Sequence, residues 1–235
     1  MLAQTPAPTK SAAPPTKSAA PAAKAPASNP LLHPESLKAK APDEFKVKFA
    51  TTKGDVVVNV HRDWSPLGAD RFFNLVKNHY FTNCAFFRIV PNFIVQFGMA
   101  PDPKVGAAWQ NANIKDDPMK PTVHNTKGTL VFATSGPDTR TTQLFINTAD
   151  NTRSLDPQHF SPFGEVVEGM DIVLALNAQY GEQPQQGMIL AEGKAYLDKA
   201  FPKLDFIKSA TIETAAAATP APAAKSATPA AAPKK

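Results

Sequence analysis

The stretch FFRIVPNFIVQFG, from Phe86 to Gly98, places a charged residue in the middle of an apolar run. Aromatic and branched apolar residues surround Arg88, and Asn92 and Gln96 are the only other polar side chains. The Pro-Asn pair in the middle divides the run into two short strand-like halves. Because burying an unpaired charge costs much free energy, Arg88 is expected to have either a partner or a chemical task.

The two ends of the 235-residue chain differ in composition from its middle. Residues 1–42 and 213–235 consist mainly of Ala, Pro, Lys, Ser and Thr, and they contain 13 of the 24 prolines. Such segments have too few large apolar residues to offset the entropy of an ordered chain, so both are predicted to be disordered tails. Residues 43–212 carry nearly all the Phe, Ile, Val and Leu, and they are predicted to form one domain.

The net charge of +5 resides in the tails. The first tail has five Lys and one Glu, and the second has three Lys and one Glu. The middle segment therefore keeps 17 basic and 18 acidic residues, which argues against a nucleic-acid groove on the domain. The tails are expected to be soluble tethers, with an envelope or another anionic surface as a further possible partner, and the domain is expected to be a monomer.

Several chemistries lack the residues they need. The five histidines have no i,i+4 spacing and no cysteine companions, so neither a metal nor another cofactor is expected. Cys84, the only cysteine, has apolar neighbours and is predicted to be a buried structural thiol. Asp116 and Asp117 are predicted to lie in a solvated turn. The opening MLAQTPAP resembles the residues that follow a signal cleavage site, which favours a periplasmic or secreted location over a cytoplasmic one.

Apolar periodicity predicts the elements of the middle segment. Residues 44–61, EFKVKFATTKGDVVVNVH, alternate around a Thr-Lys-Gly turn, which predicts a hairpin. Ser65 is placed to cap a helix that begins at Pro66. Further strands are predicted in both halves of the opening stretch and at 129–134, 143–148, 162–167 and 204–212. Further helices are predicted at 169–177 and up to about Ala200. This mainly β pattern without regular β–α alternation favours a closed or sandwich-like β architecture.

Three blocks of the sequence resemble the cyclophilin family of peptidyl-prolyl isomerases. They are the opening stretch, TKGTLVFATSGPDTRTTQLFINTADN at 126–151, and LDPQHFSPFGEVVEGMDIV at 155–173. The blocks keep the family's order and approximate spacing, and their variants resemble a bacterial branch. The resemblance implies a closed antiparallel β-barrel capped by two or three helices, and an enzyme that accelerates isomerisation of X-Pro bonds in protein folding.

The resemblance also implies a role for individual residues. Arg88 falls on the family's catalytic arginine, and Gln96 on the glutamine that supports it. Ala133 and Thr134 fall on the strand whose backbone receives the peptide. The walls of the proline pocket are implied at Phe93, Ile94, Phe145 and Leu155. The polar rim is implied at Gln143, and the pocket-edge histidine at His159.

Two departures from the family pattern bear on binding. Ser154 stands where many members have Trp or Phe, so tight binding of the cyclic peptide cyclosporin is not expected. Phe97 replaces a glycine that follows the glutamine, and this change is expected to alter peptide preference without abolishing activity. The alternative to an active isomerase is a proline-peptide binding module or folding chaperone with little turnover.

Overall fold

The computed structural model of the protein describes residues 29–213, and the predictions for 1–28 and 214–235 lie outside this range. The first two strands, β1 (Glu44–Thr51) and β2 (Asp55–His61), form the predicted hairpin. Thr51 closes its turn, because the Oγ1 hydroxyl donates to the carbonyl of Gly54 at 2.6 Å. The alternating pattern therefore defines this hairpin to the residue.

Six further strands complete one antiparallel sheet. They are β3 (Arg88–Val90), β4 (Ile94–Phe97), β5 (Thr129–Phe132), β6 (Leu144–Asn147), β7 (Pro162–Glu168) and β8 (Ile207–Glu213). The order across the sheet is β3-β4-β6-β5-β7-β2-β1-β8. The turn Pro91–Phe93 separates β3 from β4, so the opening stretch forms the predicted pair of short strands.

The two ends of the sheet meet where the chain enters β3 and β8. Ala85 and Phe206 form an antiparallel bridge. On either side of it, Phe86 N–H donates to the Asp205 carbonyl at 3.0 Å, and Ile207 N–H donates to the Cys84 carbonyl at 2.9 Å. These bonds join the edge strands, so the mainly β, barrel-like architecture is confirmed.

The described residues contain six α-helices, more than the two or three helices predicted. They are α1 (Pro66–Lys77), α2 (Pro103–Trp109), α3 (Thr152–Leu155), α4 (Met170–Leu174), α5 (Gln186–Glu192) and α6 (Lys194–Ala200). The long last helix predicted up to Ala200 is two helices, because Gly193 interrupts it at φ +61° and a Cβ there would lie 2.1 Å from the Pro101 carbonyl oxygen. None of the helices within 29–213 is long and apolar enough to cross a membrane.

The start of α1 is capped from a distant loop. Ser65 makes no side-chain capping bond, which corrects the prediction. Instead the carboxylate of Asp117 accepts the N–H groups of Leu67 and Gly68, each at 2.9 Å, and so satisfies donors that have no partner inside the helix. Asp117 is 5% exposed, so the predicted solvated turn is wrong at this residue.

Residues 29–42, assigned by composition to the first tail, lie against the domain. The carbonyl of Leu31 accepts the indole N–H of Trp109 at 2.8 Å. Ala39 exchanges two hydrogen bonds with the side chain of Asn74, at 3.0 and 2.7 Å. The domain boundary predicted at residue 43 therefore lies too late in the chain. A few leucines and hydrogen bonds suffice to hold a proline-rich segment on a surface that the folded domain already provides. At the other end, Glu213 pairs with Lys46 as part of β8.

Candidate functional site

Alternation along β4 sends its side chains to two different apolar clusters. Val95 and Phe97 belong to the main core, whereas Ile94 belongs to a smaller cluster on the other side of the sheet. Phe97 is fully buried, and its ring lies within 6 Å of three other phenylalanine rings. The large residue at 97 therefore fills the barrel and does not enter the smaller cluster.

The smaller group, termed here the outer cluster, combines residues from four parts of the chain. It consists of Ile94, Val131, Phe145 and Leu155, with Phe93, Ala133 and Phe160 packed at its edge. Phe145 and Phe160 meet edge to face with ring centroids 5.7 Å apart. All four residues predicted as pocket walls are in this cluster. Val131 and Phe160 were missed, although each is close in sequence to a predicted residue.

A row of polar side chains runs beside the outer cluster. Arg88 and Gln96 are opposite each other in the β3–β4 pair, and Nη1 of the arginine donates to Oε1 of the glutamine at 3.2 Å. The Nε2 group of Gln96 donates to Oε1 of Gln143 at 2.8 Å, and Gln143 donates in turn to Gln186 at 3.0 Å. Three of these four residues were predicted. Gln186, the first residue of α5, was not.

The guanidinium of Arg88 has an acidic partner that the sequence did not reveal. Its Nε donates to Oε1 of Glu182 at 2.7 Å, and its Nη2 lies 2.5 Å from the same oxygen. The two residues are 94 positions apart in the chain. The expectation that Arg88 has a partner or a task is thus answered first by a partner, and 27% of its side chain stays exposed.

Two cavities lie on either side of Thr134. One of about 590 Å³ is lined by Gln96, Ala133, Thr134 and Gln143 and extends to Trp109. The other, of about 690 Å³, is lined by Thr134 and by His159, which is exposed and has φ +60°. β5 ends at Phe132, so the strand predicted to residue 134 is shorter than expected, and Thr134 lies in the chain after it, between the two cavities. His159 lies at the margin of the outer cluster, next in sequence to Phe160, and makes none of the bonds of the polar row.

Glycine at position 98 fixes the end of the strand that carries Gln96. Gly98 has φ +98°, and a Cβ there would lie 2.3 Å from the carbonyl oxygen of Thr142. No side chain fits that gap, so this glycine allows β4 to approach the chain entering β6.

Tyr80 also contacts the chain entering β6. Its hydroxyl lies 3.0 Å from Oγ1 of Thr142, and burial raises the pKa of Tyr80 far above its ordinary value. The phenol therefore stays neutral.

The described residues contain no group of three or more His, Cys, Asp or Glu side chains arranged to hold a metal ion. What the described residues do bring together is a charged hydrogen-bond donor, Arg88, bonded to Gln96 beside the apolar outer cluster.

The resemblance of the sequence to the cyclophilins implied an antiparallel barrel, and the comparisons with known proteins show the family. The chain belongs to the cyclophilin-type peptidyl-prolyl cis-trans isomerase family, because the family model described as "Cyclophilin type peptidyl-prolyl cis-trans isomerase/CLD" matches residues 46–193. A peptidyl-prolyl cis-trans isomerase of Acinetobacter baylyi is 33% identical over 141 residues, which cover 58% of this chain and 74% of the relative.

Two further comparisons extend the similarity. Peptidyl-prolyl cis-trans isomerase B of Escherichia coli is 29% identical over 174 residues, covering 71% of this chain and 98% of the relative. Among solved structures, a cyclophilin-type isomerase of Cryptosporidium parvum has a TM-score of 0.55 at 18% identity, covering 73% of this chain and 98% of that one. At that identity the structural likeness supports the fold alone.

Proposed function

We propose that this protein accelerates the cis-trans isomerisation of X-Pro bonds in polypeptides, with Arg88 as its catalytic residue. The observation that carries the proposal is the position of the guanidinium, which is tied to Gln96 at the edge of the outer cluster. A proline ring held against that cluster would place its amide nitrogen near a charged hydrogen-bond donor.

The reaction requires rotation and no broken bond. The barrier of roughly 18–20 kcal/mol arises from amide resonance, which is lost as the peptide bond twists and the nitrogen becomes pyramidal. A guanidinium that donates to this nitrogen, or to the carbonyl of the proline, stabilises the twisted state more than the planar one. Lowering the barrier by about 6 kcal/mol would accelerate rotation on the order of 10⁴-fold. One charge-assisted hydrogen bond combined with substrate positioning is of that size.

The other residues are proposed to hold the peptide. Phe93, Ile94, Phe145 and Leu155 would enclose the proline ring, because they form or edge the outer cluster. The backbone at Ala133 and Thr134, between the two cavities, would receive the extended chain, with His159 at its far margin. Gln96 would brace the arginine, and Gln143 would continue the polar row. This division keeps the ring fixed while the preceding carbonyl turns.

The expected partner is a proline-containing polypeptide, bound without a cofactor by a monomer. The Cryptosporidium parvum isomerase has also been solved in the presence of the dipeptide Ala-Pro, which supports a short X-Pro unit as the minimal ligand. The match to the Escherichia coli isomerase, which covers 98% of that protein and 71% of this chain, supports placing the chain in a bacterial branch of the family.

A protease-coupled assay on a short X-Pro peptide tests the proposal. The unmodified protein should exceed the uncatalysed rate on the order of 10³-fold or more, and Arg88→Ala should lose at least 100-fold in kcat/KM. Arg88→Lys keeps the charge but not the rigid fork of donors, so it should recover little. Lys48→Ala, which removes an exposed positive charge on β1, serves as the control and should match the unmodified protein.

Two results would reject catalysis by Arg88. One is a native rate near background, and the other is full activity in Arg88→Ala. A near-background rate combined with retained binding of the X-Pro peptide would favour the alternative function, a proline-peptide binding module or folding chaperone.

A further inference from the structure

Glu182 contacts the guanidinium of Arg88 more closely than any other described residue. Its Oε1 atom accepts the Nε–H at 2.7 Å and lies 2.5 Å from Nη2, whereas the bond from Nη1 to Gln96 is 3.2 Å long. The carboxylate and the amide therefore hold two different edges of the same planar group. A guanidinium that is held by contacts at two edges has its orientation restrained, although the side chain that carries it is long and flexible.

The loop of residues 180–182 holds the Glu182 carboxylate beside β3 through a backbone hydrogen bond. The N–H of Ile89, the residue after Arg88, donates to the carbonyl of Gly181 at 3.2 Å. Tyr180 anchors the same loop, because its ring packs edge to face on Phe201 at 5.1 Å. Gly181 on the loop is thus bonded to Ile89 on β3, and this bond brings the adjacent Glu182 carboxylate to Arg88. A few residues further on, Gln186 contacts the other end of the polar row.

The contacts determine which donors stay available for a substrate. A guanidinium has five N–H groups. Within residues 29–213 the hydrogen bonds of Arg88 use the Nε–H and one N–H of Nη1, and Nη2 contacts the same carboxylate as an ion pair. The donors that remain all belong to the terminal nitrogens at the tip of the group, the part best able to reach an amide nitrogen or carbonyl.

We infer that Glu182 is a positioning residue that sets the orientation of Arg88 and presents the tip of its guanidinium to the substrate. The inference rests on the proposed function. An ion pair this exposed, with 62% of the glutamate side chain in solvent, contributes little to folding stability. Orientation of a catalytic group is different, because a displacement of about 1 Å can cost up to 10²-fold in rate.

Variants of Glu182 test the inference through kcat and KM measured separately by NMR exchange on an X-Pro peptide. Glu182→Ala should lower kcat by about 5- to 30-fold and leave KM within about twofold, because the lost contact orients the catalytic group and does not bind the peptide. Glu182→Gln should recover part of the loss, since its amide oxygen still accepts from Nε. Glu192→Gln, at the exposed end of α5, removes the same charge and should change neither constant.

The ¹⁵Nε–H resonance of Arg88 gives a readout that is independent of turnover. It should be protected from solvent exchange in the unmodified protein and in Glu192→Gln, and it should lose protection in Glu182→Ala. Unchanged or increased kcat in Glu182→Ala, with Arg88→Ala inactive, would overturn the positioning role alone. An inactive unmodified protein with a protected resonance would instead overturn the proposed function and leave the ion pair established.

Discussion

The carboxylate of Asp117 and the guanidinium of Arg140 lie 3.0 Å apart, and both side chains are almost completely buried, at 3% and 6% exposure. The same carboxylate accepts the first N–H groups of α1. One buried acid thus joins the helix to the loop that carries Arg140, and it compensates both the helix donors and the arginine charge.

Replacing this acid should destabilise the fold more than replacing its neighbour. Asp117→Ala leaves the Arg140 charge buried with only part of its compensation, so the free energy of unfolding should fall by about 3 kcal/mol. Asp116→Ala is the control, because Asp116 is half-exposed and should cost about 1 kcal/mol. Urea denaturation measures both. Equal losses would contradict the central role of Asp117.

The Arg62–Asp70 pair should make stability depend on pH in the acid range. Burial alone would raise the pKa of Asp70, but hydrogen bonds from Arg62 at 2.8 and 2.9 Å and from the Ala41 N–H outweigh it and lower the pKa. The folded state therefore favours the ionised carboxylate. Its contribution is present above the unfolded value of about 3.9 and is lost as the pH falls through the lower folded value.

Denaturation of Asp70→Asn between pH 7 and pH 3 checks this expectation. The variant should be less stable than the unmodified protein by about 1 kcal/mol at pH 7, and the difference should shrink toward pH 3. Because Asp70 also holds Ala41, the Ala41 amide should exchange faster in the variant. A difference that is constant over this range would rule out the carboxylate as its source.

Cys84 should behave as an inert thiol. Its side chain is fully buried, its Sγ lies 3.1 Å from the Met99 carbonyl, and burial raises its pKa far above the ordinary value. The native protein should react with a thiol reagent at pH 8 at least 100-fold more slowly than the urea-unfolded chain. Because the folded pKa exceeds the unfolded value of about 8.5, the thiol's contribution to stability should decline as the pH rises above that value. Fast native labelling would contradict this burial.

Cyclosporin should bind weakly because of Ser154. This residue is exposed at the end of α3, directly before the cluster residue Leu155, and its hydroxyl donates to the Asn151 carbonyl at 3.0 Å. Ser154→Trp adds an aromatic face at the rim, and we expect the Kd for cyclosporin to fall about tenfold. Arg153→Trp places the same ring one position away and should have no such effect. Isothermal titration distinguishes the two, and equal gains would locate the contact elsewhere.

Local patterns in the sequence predicted the elements that local physics controls. The hairpin and α1 followed from alternation and helical spacing, and Pro91-Asn92 marked the turn between β3 and β4. Four to seven residues carry little periodicity. The short helices α2 and α3 were therefore missed, and the equally short α4 was predicted only because it lies within the apolar run at 169–177.

The features that sequence patterns missed depend on residues distant in the chain. Nothing near Glu182 indicates a partner 94 positions earlier, and the adjacent acids at 116 and 117 appear equivalent although only one is buried. The first tail was predicted to be too long for a related reason. Composition measures what a segment can bury by itself, whereas residues 29–42 rest on a surface that the rest of the domain provides.

Because side chains alternate between two faces along β4, amino-acid substitutions on this strand have two different effects. Replacements at Val95 and Phe97 alter the barrel interior, so selection on them acts through abundance of the folded protein. Replacements at Ile94 reach the outer cluster and leave the interior filled. Ile94 is itself buried, at 4% exposure, so its replacement costs packing within the outer cluster but spares the barrel interior. A change in the proposed peptide-binding surface therefore carries a cost confined to that surface.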